Sequence, residues 1–569
     1  MRYLALACDY DGTIAQDGQV ADSTIAALVR LHHTGRKLIL VTGRELDDLR
    51  RVFTRLDVFD RVVAENGALI YTPATQEEKI LGERPPEDFI RELLRRGVGP
   101  TSVGRVIVAT WEPHETTVLE TIRDFGLEFQ VVFNKGAVMV LPSGINKASG
   151  LSATLAEMGL SPHNTVGVGD AENDHAFLSL CECAVAVANA LPSVQEKTDW
   201  VTAGDHGAGV EELIERIIST DLQDMEERLA RYHIILGHDA AGHVLSLNPY
   251  GTNVLLAGSS QGGKTTLATG LIERIIDQHY QVCVIDPEGD YAELDNFIVL
   301  GDGNRPPSIG ESIELLADPE QNVVLNLLGI RLEHRPAFFA ELYPRLQELR
   351  TRTGHPHWII VDETHHLLPS DWQSARLTLS QDTYGVMLIM VEPQHTSPAV
   401  LSIVDTAIAI GAAPEKTIQQ LCAVLGQEPP PLEPVTLAQG EALLYAPRRH
   451  SQPVWFRSLP PAGQRRRHHR KYAEGEIPPE SSFYFRGPQG KLNLRAQNLM
   501  MFIQLAEGVD DETWLYHLQR GDYSDWFRTV IRDDALASEA AQAEQGEASV
   551  HDSRAQILRA IEQRYTAPA

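Results

Sequence analysis

The sequence predicts an α/β protein made of two successive parallel-sheet units, with a smaller α+β module inserted in the first and a small helical module after the second. Three observations predict this. Short apolar runs alternate with amphipathic stretches over residues 1–219 and again from about residue 232. The alternation is interrupted between about 85 and 141. Beyond residue 460 a proline pair and a basic run give way to a segment whose apolar period is helical.

In the first unit Leu4–Cys8, Lys37–Thr42, Val62–Ala64 and Thr165–Val168 read as buried strands, with helices at Ser23–His33 and Leu46–Phe53 between them. The interruption carries a helix (Pro86–Arg96), a strand (Arg105–Trp111), a second helix (Glu115–Phe125) and a hairpin across Asn134-Lys135-Gly136. Gly209–Ile218 closes the unit, and the acidic Asp221–Glu227 reads as connecting helix. The second unit has strands at Val254–Ala257, Val282–Ile285, Val323–Leu327, Trp358–Val361 and Val386–Val391. The expected boundaries are 1–84 with 142–219, an insert at 85–141, a second unit at 232–459, a basic linker at 460–477 and a helical module with a loose tail at 478–569.

Composition excludes several classes. The chain has 569 residues, 43% of them apolar and 22% charged, which is ample for several cores and unlike a disordered protein. A net charge of −29 argues against a surface coated for phosphate backbones, although a local basic groove is compatible with it. Cys8, Cys181, Cys183, Cys283 and Cys422 are scattered, odd in number and without metal-ligand spacing, so reduced thiols are expected. The N-terminus reaches Asp9 and Asp11 too soon for a signal peptide, and no apolar run approaches the ~20 residues that span a bilayer. A cytoplasmic protein without membrane contact is expected.

Asp9-Tyr10-Asp11-Gly12-Thr13 follows a strand directly, so two carboxylates can face one pocket once the chain turns at Gly12. Thr42-Gly43 follows the second strand, Lys147 sits in Gly144-Ile145-Asn146-Lys147, and Gly169-Asp170-Ala171-Glu172-Asn173-Asp174 follows a fourth strand. Singly, Thr42 reads as a helix cap, Lys147 as a surface lysine and Asp174 as a solvated helix residue. Jointly and in this order, the four segments resemble the haloacid dehalogenase (HAD) superfamily, with a Rossmann-like core. The insert resembles the C2 cap of its Cof/sugar-phosphatase-like members. The resemblance implies a phosphatase in which Asp9 is the nucleophile and Asp11 the general acid and base. It implies Mg²⁺ at Asp9, the Asp11 carbonyl and Asp170, with Asp174 in the metal shell, and phosphate contacts from Thr42, Gly43, Lys147 and Asn173.

Gly258-Ser259-Ser260-Gln261-Gly262-Gly263-Lys264-Thr265 has the pattern GxxxxGK[ST] between a strand and the helix Thr266–Ile276. Its amides can wrap phosphates, Lys264 can reach the β/γ oxygens and Thr265 can meet Mg²⁺, so ATP is the expected ligand. Asp362 would anchor the Mg²⁺ and Glu363 would polarise the attacking water. With Asp286-Pro287-Glu288-Gly289-Asp290-Tyr291, Gln394 and the lead-in Leu236-Gly237-His238-Asp239, the segment resembles the RecA-like HerA/FtsK ring ATPases. That resemblance implies a homo-oligomer, such as a hexameric ring, with Arg448, Arg449 and Arg457 as candidate trans-acting arginines. His395-Thr396 departs from the Arg-Pro usual after the glutamine.

The expected protein is therefore a phosphatase for a small phosphorylated metabolite fused to an ATP-hydrolysing motor or regulatory unit. Alternatives are a nucleic-acid translocase that trims terminal phosphates, a polynucleotide kinase–phosphatase and a regulatory ATP switch. Arg465–Lys471 offers a nucleic-acid contact or a solvated linker, and the terminal module, with Trp514, Tyr516, Trp526 and Phe527 as core, reads as an assembly element. Ala535–Ser549 reads as a solvated helix or loose tail.

Overall fold

The computed structural model describes residues 1–134, 136–229, 232–259, 263–370, 383–447, 450, 452–461, 482–488, 490, 492–531, 533–546 and 549–565. Ser260, Gln261, Gly262, Arg448, Arg449 and Arg465–Lys471 lie outside the described residues. The chain divides into two compact units, Met1–Leu459 and Pro460–Ala569.

The first sheet contains β1 (Ala5–Asp9), β2 (Lys37–Val41), β3 (Arg61–Ala64), β4 (Leu69–Thr72) and β5 (Glu77–Ile80). The inserted module supplies β6 (Ser102–Val103), β7 (Val108–Trp111), β8 (Phe129–Asn134) and β9 (Ala137–Pro142), which form a sheet of their own in the order 6-7-9-8. The chain then returns to the first sheet with β10 (Thr165–Gly169), β11 (Cys183–Ala186) and β12 (Trp200–Val201). The first sheet runs 12-11-10-1-2-3-4-5, with β1 central and parallel to β2 and β10. β1 and β10 are wholly buried, as strands with helices on both faces must be. Their carboxyl ends, Asp9 and Gly169, therefore open at one edge of the sheet, where ligand sites of such folds lie.

The second sheet contains β13 (Ile234–Asp239), β14 (Val244–Leu247), β15 (Asn253–Gly258), β16 (Val282–Asp286), β17 (Phe297–Leu300), β18 (Asn322–Asn326), β19 (Trp358–Val361), β20 (Val386–Met390), β21 (Thr406–Ile410), β22 (Glu441–Tyr445) and β23 (Val454–Ser458). Its order is 14-13-23-22-21-15-20-19-16-18-17. The strands from β21 to β17 are parallel neighbours, and the edge from β22 to β14 is antiparallel. The lead-in glycines and histidines form the β13–β14 hairpin, closed where Asp239 Oδ1 accepts the N–H groups of Ala241 and His243, each at 2.8 Å.

The two sheets are joined by a buried polar junction. His163, just before β10, packs its ring on Tyr280 with centroids 3.8 Å apart. Its Nδ1 lies 2.6 Å from Glu182 Oε2 and its Nε2 lies 2.7 Å from the Gln278 carbonyl. Glu182 also accepts from Arg2 at 2.7 Å and from the Tyr280 hydroxyl at 2.9 Å. His357, just before β19, accepts the Gln281 N–H at Nδ1 (2.9 Å), and its Nε2 lies 3.2 Å from Asn164 Oδ1. Burial holds the His357 imidazole neutral, well below the usual histidine range.

Three expectations need correction. The strand expected over Arg105–Trp111 starts only at Val108, because the amides of residues 105–107 turn to Glu65. The connecting helix expected at Asp221–Glu227 is a 3-10 stretch, Gln223–Arg228. The stretch expected to be solvated, Ala535–Ser549, is largely the helix Asp534–Gln545, and Leu536, Ala537, Ala540 and Ala543 are buried. Small side chains at those spacings let a helix seat closely, which a count of Ala and Glu does not reveal. The terminal unit packs these residues with Phe483, Phe502, Trp514, Tyr523 and Phe527.

Candidate functional site

The first site lies at the carboxyl edge of the first sheet. Asp9 ends β1, and the chain turns at Gly12, whose φ of 88° suits glycine. Lys147 opens the helix Lys147–Glu157, capped by Asn146, whose side chain accepts the Ala148 and Ser149 amides. That cap fixes where the lysine starts. Its Nζ lies 2.5 Å from Asp9 Oδ1 and 2.6 Å from Asp174 Oδ1. The other oxygen of Asp174 accepts the Asp170 and Ala171 amides, both at 2.9 Å. Thr13 donates to Asp170 Oδ1 at 3.2 Å.

Burial is what gives this cluster its chemistry. Desolvation, then the charge of Asp174, pushes the Asp9 carboxyl up, while Lys147 pulls against them. Asp9, Asp170 and Asp174 each offer an oxygen within 4.8 Å of the others, all three buried. A hard divalent cation favours such carboxylate oxygens and would relieve their mutual repulsion, so the donor set fits Mg²⁺. Asp174 spends its oxygens on Lys147 and two amides, which suits an orienting role better than direct ligation.

Above the cluster, β7 and β9 of the inserted module roof a cleft of about 650 Å³ lined by Asp9, Asp11, Lys147, Asn173, Ile107 and Trp111, among others. Thr42 is buried, and its hydroxyl accepts the Arg44 amide at 3.1 Å. Asn173 donates to Asn66 Oδ1 at 3.2 Å, and Gly43 lies beside it, where a Cβ would come within 3.7 Å of the Asn173 amide nitrogen. The carboxylate of Asp11 faces Arg44, which sequence reasoning did not single out. Glu65 and Asn66 were also missed; their signal is an Asn-Gly pair directly after a strand, which reads only as a turn.

The second site lies at the carboxyl edge of the second sheet. Gly258 ends β15 against the Ile410 backbone, where a Cβ would lie 2.3 Å from the Ile410 carbonyl oxygen. Lys264 begins the helix Lys264–Asp277 and folds back so that its Nζ donates to the Gly258 carbonyl at 3.1 Å. Thr265 and Thr266 are exposed beside it, as is Ser259. Asp362 and Glu363 follow β19, which β20 separates from β15. Burial pushes Asp362 up to about 8 and also raises Glu363, against the pull of the Lys264 charge. Glu363 has φ 38°, a strained backbone for a residue with a Cβ, and its Oε2 lies 3.3 Å from His365 Nδ1. Asp286 is spent on a turn, accepting the amides of residues 288–291 at 2.7 to 3.2 Å. Gln394 is exposed and donates to Glu392 at 2.8 Å.

The order of strands and carboxylates at the first site defines a hydrolase class. The chain belongs to the haloacid dehalogenase-like hydrolases, whose family pattern it matches over residues 6–95 and 106–214. A phosphoglycolate phosphatase of Methanothermobacter thermautotrophicus is 32% identical over 223 residues, covering 38% of this chain and 98% of that protein. Phosphoglycolate phosphatase 2 of Saccharolobus solfataricus is 29% identical over 222 residues, covering 38% and 93%. Among solved structures, a haloacid dehalogenase-like hydrolase from Bacteroides thetaiotaomicron covers 38% of this chain and 99% of its own at 22% identity and a TM-score of 0.33. Among the described residues no helix is long and apolar enough to cross a membrane.

Proposed function

We propose that residues 1–219 hydrolyse the phosphate ester of a small metabolite through an aspartyl-phosphate on Asp9, and that residues 232–459 bind and hydrolyse ATP. The observation that carries the first half is Lys147 bridging Asp9 and Asp174 beside Asp170, beneath the inserted module. Asp9 attacks phosphorus, and the P–O bond to the leaving group breaks. Lys147 and Thr42 take up charge on the phosphoryl oxygens. Asp11 gives a proton to the leaving oxygen and then removes one from the water that cleaves the aspartyl-phosphate. Mg²⁺ at Asp9, the Asp11 carbonyl and Asp170 would offset the repulsion between carboxylate and phosphate. The names of the relatives make phosphoglycolate the first ester to assay.

The ATP half is supported by Lys264 at the start of its helix, by the strand between β15 and β19, and by Glu363 set beside Asp362 near Lys264. A glutamate next to the metal-anchoring aspartate favours water over a substrate hydroxyl as the acceptor, against kinase chemistry. The HerA/FtsK-like likeness and ring assembly belong to this reading through the sequence motifs, whereas nucleic-acid contact by the basic run belongs to the alternative translocase reading. Glu45, Asp47 and Asp48 line the first cleft beside Arg44 and Arg51, and Asp48 is paired with both arginines, so the lining is mixed in charge. The test is phosphate release from a panel of small esters and phosphate-ended oligonucleotides, with Mg²⁺ or chelator and with or without ATP. Mg²⁺-dependent release from small esters supports the reading, and release from oligonucleotides alone overturns it.

A further inference from the structure

Glu65 is wholly buried, follows β3 and has φ 52°. Its carboxylate reaches out of the core and accepts three successive amides of the inserted module: Arg105 at 2.8 Å on Oε1, then Val106 at 2.8 Å and Ile107 at 3.0 Å on Oε2. Gly104 makes room for it, since a Cβ there would lie 2.6 Å from Oε1. Those amides lead straight into β7, whose Ala109, Thr110 and Trp111, with Ile107 before them, line the cleft over Asp9.

The same short segment also touches the phosphate side of the site. The Glu65 amide donates to the Arg44 carbonyl at 2.9 Å, and the Asn66 amide donates to the Thr42 carbonyl at 3.0 Å. Asn66 Oδ1 holds Asn173. Gly67, at φ 104°, lies so near the Lys147 helix that a Cβ would sit 1.9 Å from the Asn146 carbonyl oxygen. Three residues thus join the turn after β2, the residue-173 amide, the start of the lysine helix and the roof. Among the described residues, the other polar ties from this edge of the roof to the core, Arg105 to Asp47 and Glu78 and Ser102 to Glu45, are more exposed and correspondingly weak. A buried carboxylate holding three charge-assisted hydrogen bonds is a firmer and better-aimed tie.

We propose that Glu65 is a positioning residue that sets the height and tilt of β7 over Asp9, and so decides which leaving groups the cleft accepts. This rests on the phosphatase reading for its kinetic consequence, but not for its structural one. The test uses the full chain as Glu65→Gln and, from the opposite side of the contact, Gly104→Ala. Amide exchange at residues 105–107 and kcat/KM for p-nitrophenyl phosphate, phosphoglycolate and a hexose phosphate are measured for each. Glutamine keeps the shape but turns an N–H donor toward amide donors, so exchange at 105–107 should rise about tenfold without global unfolding. The ratio of kcat/KM between the esters should shift about tenfold, because the leaving group alone meets the roof. Unchanged exchange at 105–107 overturns the proposal, as does an equal fall for every ester. If the unaltered protein hydrolyses no ester, the phosphatase reading fails and the exchange result alone decides for or against Glu65.

Discussion

Arg44 grips Asp11 through two hydrogen bonds of 2.7 Å, Nε to one carboxylate oxygen and Nη2 to the other. The same guanidinium holds Asp48 at 2.6 Å. The residue assigned to acid and base work is thus turned toward a cation at the mouth of the cleft. On the proposed mechanism, proton transfer would require Asp11 to leave Arg44 for the leaving oxygen, which would link substrate arrival to acid catalysis.

Asp11→Asn should lower kcat by about 10²- to 10⁴-fold, the usual loss when a positioned acid or base is removed. An amide cannot deprotonate water, so a burst of leaving group with an activated ester should survive while turnover stalls. Rapid-quench measurement shows this directly, and equal loss of burst and turnover would contradict the base role.

Removing Lys147 leaves the buried carboxylates of Asp9 and Asp174 facing each other without their cation. Lys147→Ala should cost about 3–5 kcal/mol of stability, the range for breaking a buried pair on one side. The denaturant midpoint measured without metal checks it. A further Asp174→Asn change should recover part of the loss.

The polar junction predicts an acid-sensitive fold. His357 is held neutral with its Nδ1 lone pair on the Gln281 amide, whereas in the unfolded chain it protonates near 6.5. The unfolded state therefore binds more protons below that pH, and stability falls as pH drops from about 6.5. Glu182, held as an anion chiefly by the His163 hydrogen bond against its burial, adds a second loss below about 4.5. Unfolding midpoints from pH 8 to 4 should show both slopes, and His357→Asn should make the first shallower without removing it, because burial also holds His355 down at about 4.

In the second site, Lys264→Ala should weaken ATP binding, whereas Glu363→Gln should bind ATP and fail to cleave it. On the proposed reading the lysine would meet ground-state phosphates, while the glutamate would act on the attacking water. Equilibrium binding beside single-turnover hydrolysis separates them. Parental hydrolysis by the Glu363 variant would remove its assigned role.

The sequence made the strand-end residues legible because each sits where a buried apolar run stops, as at Asp9, Asp170 and Asp362. It could not show which carboxylates meet. Arg44, Glu65 and Asn66 act through backbone turns and contacts far along the chain, and their residue types are ordinary at turns. The junction was hidden for the same reason: Arg2, His163, Glu182, Tyr280 and His357 come from five separate segments. The edge strands β5 and β23 were missed because they are largely exposed and lack a continuous apolar run, and without them the short buried runs of β4 and β22 had no visible partner.

The central claim is that Asp9 carries the phosphoryl group. The most direct measurement is to quench Asp11→Asn during turnover of p-nitrophenyl phosphate with Mg²⁺, reduce with borohydride and locate the reduced residue by peptide mass. An acyl phosphate on Asp9 is converted to homoserine at position 9, and Asp9→Asn should yield none. Ester turnover with an unmodified position 9, or with the mark on another carboxylate, would contradict the account.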